Sequence, residues 1–114
     1  MNRTQAMKEA ARRWGKDGGI KDYGKPTKPE HRAAADAELK ALRARVGDRA
    51  MTKEERAERD RLLGIALHYR YMVGKVVMGL FFSVEGQGDT LDAAFADADR
   101  RAAEDAKRYA KAAA

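Results

Sequence analysis

The chain has 114 residues, which is room for one compact domain and not for two. It has no cysteine, so disulfides and thiolate metal centres are excluded. The formal charge is +6 with a pI near 9.7, and the excess is local: residues 1–28 hold 8 basic against 3 acidic side chains, whereas residues 51–114 hold 11 of each.

A balanced body with a basic N-terminal arm suits a polyanionic partner. The most apolar stretch, 72–84, contains Lys75 and is too short to cross a bilayer. The opening MNRTQAMKEAARRWG lacks the apolar run of a secretory signal. A cytoplasmic protein without a membrane partner is therefore expected.

Residues 3–14 read as a short helix, with Asn2 as its cap, Gln5 closing a capping box and Gly15 stopping it. Ala6, Met7, Ala10, Ala11 and Trp14 recur at helical spacing, with Trp14 as the anchor. The next segment, GKDGGIKDYGKPTK, holds four glycines and a proline and reads as a long loop. A second helix is expected over 28–46, with Thr27 and Glu30 as a capping box, Pro29 in the first turn and Gly47 past its end. Its seam is Ala35, Leu39, Leu42 and Val46.

Thr52 and Glu55 give the clearest helix start in the chain. Beyond it, Leu62, Ala66, Tyr69, Val73, Val76 and Leu80 keep a helical stripe, which favours one long helix to about Ser83. The competing reading is a β-hairpin at about 68–84, rich in Tyr, Val and Phe, with Gly74-Lys75 as its turn. Three glycines (Gly64, Gly74, Gly79) tax the helix, whereas two strands alone need a helical layer over them. GQGD at 86–89 reads as a tight connection. A last helix follows, capped by Asp89 or Thr90, with Leu91, Phe95, Ala98, Ala102, Ala106 and Tyr109 on one face.

The expected fold is therefore mainly α: a small bundle of about four helices with a long Gly/Lys-rich loop, the alternative being α+β with that hairpin. The expected organisation is a basic helix-and-loop arm, 1–28, on a helical core, 29–114, the two forming a single domain.

Little here points to catalysis or to a metal. His31 and His68 are the only histidines, without ligand spacing between them, and Ser83 is the only serine, outside any nucleophile motif. The acidic clusters at 54–60 and 97–105 alternate with arginine, as solvated helix surfaces do. GKDGG lacks the spacing of a phosphate loop. A non-enzymatic protein without cofactors is expected.

Arg12, Arg13, Lys16, Lys21, Lys25 and Lys28 form a basic strip that can track phosphates, with Tyr23 or Trp14 to stack on a base. Tyr69, Arg70 and Tyr71 are a candidate interface triplet. The expected partner is nucleic acid or a nucleoprotein complex, served by the chain as an accessory factor. The alternative is a protein-binding adaptor or inhibitor from a phage or mobile element, such as an anti-CRISPR-type protein, or a virion component. The alanine seams also leave homo-oligomerisation open.

Overall fold

The computed structural model describes residues 1–113. The elements in chain order are α1 (Arg3–Trp14), a 3₁₀ turn (Gly15–Asp17), β1 (Gly18–Asp22), α2 (Pro29–Val46), α3 (Lys53–Ala66), β2 (Tyr71–Val77), β3 (Phe81–Gly88) and α4 (Leu91–Ala113). They divide into two compact units, one made of Met1–Lys25 with Tyr69–Ala114, the other of Pro26–His68.

The fold is α+β, which corrects the mainly-α expectation and matches its alternative. The stripe expected to run as one helix to Ser83 stops at Ala66; after it the chain pairs with itself as β2 and β3. The reason lies in packing. Val73 enters a core with Ala6 and Ala10 of α1 and Leu91, Ala94, Phe95 and Ala98 of α4. These two helices are the layer that a bare hairpin lacks. The segment read as a loop supplies the third strand: β1 pairs antiparallel with β2, giving the order β1-β2-β3. Two glycines explain why so weak a strand sequence is used. A Cβ on Gly18 would sit 2.3 Å from the Ala10 carbonyl oxygen, and one on Gly86 would sit 2.2 Å from that of Ala94. Each helix backbone rests on a strand with no side chain between them.

The hairpin turns at Met78-Gly79, four residues past the expected Gly74-Lys75. Both turn residues have positive φ (57° and 66°), and Leu80 N–H donates to the Val77 carbonyl at 3.1 Å. Three residues, Met78 to Leu80, join the strands, and the left-handed pair within them has the positive φ angles of a type I′ turn. Gly74 instead lies inside β2, next to a bulge: Val73 pairs with Gly86 and Gly74 with Val84, leaving Glu85 as the extra residue.

The second unit is a helical hairpin. Its core joins Ala35, Leu39, Leu42 and Val46 of α2 to Leu62 and Ala66 of α3. The Thr52–Glu55 capping box forms as expected, with bonds of 3.1 and 3.0 Å. Thr27 does not cap α2, however; Lys28 takes that position without a side-chain bond, and Pro29 opens the helix. Arg32, nine-tenths buried, donates to the carbonyls of Thr27 and His68, and Thr27 N–H also donates to His68 at 3.2 Å. The two ends of the unit are thereby tied together at its base.

Candidate nucleic-acid interface

The far face of the three-stranded sheet is built by alternation along each strand. On β1, Gly18 and Ile20 turn toward the helices, so Gly19 and Lys21 turn away. On β2, Tyr71 and Val73 pack on the core, so Met72, Gly74 and Val76 share the side of Lys21. The bulge at Glu85 resets the parity of β3. Gly86 and Gly88 lie under α4, whereas Val84 and Phe82, paired with Gly74 and Val76, face outward. The ring of Phe82 lies against Gly19, 3.6 Å from where a Cβ would be, and the Lys21 ammonium stands 5.0 Å from the ring centroid. This is cation–π distance. Neither α1 nor α4 covers this face.

The basic residues read from the sequence separate into two groups. Arg12 and Arg13 belong to the scaffold. Arg12 pairs with Glu9, and Arg13 reaches both Glu9 at 2.8 Å and Asp99 of α4 at 2.6 Å. The Arg13 guanidinium also lies over Phe95 at 5.0 Å, beside a stacked Trp14–Phe95 pair, so Trp14 is held by the core. The Arg12 and Arg13 bonds hold the Glu9 carboxyl down at about 2. Arg13 likewise lowers Asp99.

Lys16, Lys21, Tyr23 and Lys25 form the second group, exposed along the 3₁₀ turn, β1 and the residues just after it. Among the described residues, no carboxylate lies within ion-pair distance of Lys16 or Lys21. The arm's acidic residues are largely spoken for: Glu9 serves the two arginines, and Asp22 takes Arg70 at 3.2 Å and Gly24 N–H at 2.9 Å, which lowers its pKa. Among the described residues, Asp17 alone of the three has no such partner. Lys28 is exposed too, but it belongs to the helical unit.

The triplet Tyr69-Arg70-Tyr71 is drawn inward in part. Arg70 pairs with Asp22 and lies 4.8 Å from the Tyr71 ring centroid, while Tyr71 packs on the core. Met1, Asn2, Arg3, Ile20, Asp22, Arg70, Tyr71 and Leu91 line a cavity of about 300 Å³ there. Its mixed charges favour neither sign of ligand. In the helical unit, a groove of about 380 Å³ runs between α2 and α3 over Ala34, Ala35, Leu62 and Ile65. No cluster of three His, Cys, Asp or Glu able to hold a metal occurs among the described residues, and no described helix is long and apolar enough to cross a membrane.

Sequence reasoning missed two features. Phe82 is read from the sequence only as one of the strand formers of the hairpin alternative, and not as part of a face shared with Val76 and Lys21. The hairpin tip was missed as well: Val76, Met78, Leu80 and Phe81 are all exposed, Met78 and Leu80 at 82%. The Met-Gly dipeptide was the available signal, since a bulky apolar residue before a turn glycine has little to pack on. Comparison with known proteins yields no match, whether to a family model, a curated protein or a solved structure.

Proposed function

We propose that the chain is a non-enzymatic, cytoplasmic binding protein that contacts nucleic acid, alone or within a nucleoprotein complex, as an accessory factor. One observation carries the reading: Lys16 in the 3₁₀ turn and Lys21 on the edge strand β1 stand exposed with no carboxylate partner among the described residues, while Arg12 and Arg13 are neutralised internally. Lysines spaced along one segment of chain meet successive phosphates and release their counterions, so affinity falls as salt rises. Tyr23, half exposed at the end of the strip, adds a surface on which a base can stack. The test is fluorescence anisotropy of labelled DNA and RNA from low to physiological salt. Lys16, Lys21, Lys25 and Lys28→Ala together should flatten the salt dependence and abolish binding. Binding that survives all four changes would sink the reading.

A second reading, a protein-binding adaptor or inhibitor, is favoured by the hairpin tip. An exposed apolar cluster on a turn is a feature that partner proteins bury. Under this reading Met78→Asp and Leu80→Asp leave the fold intact and remove partner binding, while the lysine changes have little effect.

A further inference from the structure

We propose that the occupant of the far face of the sheet is a single-stranded nucleic acid, with bases stacking on Phe82 and phosphates running past Lys21 toward the β1 edge. The inference rests on the nucleic-acid reading and names the form of nucleic acid and its platform.

Charge and shape argue for it together. The face has a cationic margin and an aromatic centre: Lys21 borders it on β1, and Phe82 lies across Gly19 with Met72, Val76 and Val84 around it. Its three strands place no carboxylate side chain on this face: Asp22 turns inward to Arg70, and Glu85 sits at the bulge accepting from Ser83 at 3.1 Å. Charge alone would accept any polyanion. The aromatic ring discriminates, because a duplex keeps its base faces stacked on one another, whereas a single strand offers them. A phenyl ring offers a flat surface to a splayed base and carries no hydrogen-bonding group with which to read it. Glycines at Gly19 and Gly74 keep the floor beside the ring low. Lys21 already holds a cation against the ring, so phosphate and base meet the protein at adjacent points. Binding with stacking but without base readout predicts weak sequence preference.

The test compares labelled oligothymidylate, oligouridylate and a mixed-sequence duplex of equal length by anisotropy, at low and physiological salt. The expected result is tighter binding of both single strands than of the duplex. Phe82→Leu, which keeps apolar volume and removes the π-face, should weaken single-strand binding roughly ten-fold, and Phe82→Trp should retain it. Lys21→Ala should reduce the single-strand salt slope by about 0.7. Thermal unfolding of each variant identifies any that has lost its fold, with Phe82→Trp as the variant that separates stacking from stability. Equal binding of duplex and single strands, unchanged by Phe82→Leu, would overturn the platform and leave the nucleic-acid reading standing. No binding of any of the three at low salt would overturn both.

Discussion

Replacing Met78 by asparagine should stabilise this protein, although it removes an apolar side chain. Met78 has φ 57° in the turn, and a left-handed conformation costs an L-residue with a Cβ about 1–2 kcal/mol. The side chain recovers little of that by packing, because the residue is 82% exposed. Asparagine tolerates the conformation far better, and Asn-Gly is the favoured pair for a type I′ turn. Relief of about half the strain gives a gain of about 0.5–1 kcal/mol, or about 2–5 °C in Tm for a chain of this size. Thermal and urea unfolding would measure it, with Met78→Leu as the control that keeps the strain and should change nothing. An asparagine variant no more stable than the parent would refute the reasoning, since it would mean that the methionine contributes packing that its exposure denies. The sign also bears on function. A strained, exposed, apolar turn residue that stability alone would replace is what a docking tip looks like, so the more stable variant should be the poorer binder under the second reading.

Gly86→Ala should destabilise by about 1–3 kcal/mol, since its methyl would lie 2.2 Å from the Ala94 oxygen and 2.6 Å from the Ala98 nitrogen; an unchanged urea midpoint would refute that packing. Leu62→Ala, at a site 2% exposed in a core of six buried residues, should cost about 2–5 kcal/mol. It should be read as faster hydrogen exchange in α2 and α3, and exchange as slow as in the parent would count against it. Glu9 and Glu55 are both held at about 2, by Arg12 with Arg13 and by Arg49 respectively. A lowered folded pKa gives stability that is complete above the unfolded value near 4.5 and is lost as pH falls toward 2. Tm should therefore drop across that window, less steeply in Glu9→Gln and at high salt, and a flat profile would refute the pairing.

The helices were legible because their signals are local. The Asn2 and Thr52 capping boxes, the stop at Gly15 and the apolar spacing of α2 and α4 all lie within a few residues of what they control. The sheet was not, because what selects it is distant in sequence. Residues 69–82 satisfy a period of 3.6 nearly as well as a period of 2, and the deciding partners are the alanines of α1 and α4. Those alanine faces suggest helix meeting helix. Their complement is instead the glycines Gly18, Gly86 and Gly88 on the strands, where small residues on both sides let a helix backbone settle onto a sheet. The site divides in the same way. Spacing alone located Lys16, Lys21 and Lys25, on and beside β1. Spacing could not remove Arg13 from the strip, because the carboxylate that engages it, Asp99, is 86 positions away.

Phe82 shows most clearly how a site can be invisible in a pattern. Strict alternation backward from Gly86, which lies under α4, would put Val84 and Phe82 on the helix side as well. The bulge at Glu85 inserts one residue and turns both onto the far face, where Phe82 meets Gly19 and Lys21. A bulge leaves almost no mark on hydrophobic periodicity, because it is one unpaired residue, yet it reverses the orientation of everything beyond it. The aromatic that the proposal depends on, half-buried, is therefore turned to the far face by a register shift next to Gly74, whose missing side chain makes room for the Ser83 carbonyl, 2.0 Å from where a Cβ would stand. The close backbone approach at the bulge and the far-face placement of Phe82 are one structural fact, because the single extra residue that brings the backbones together also sets which way the ring turns.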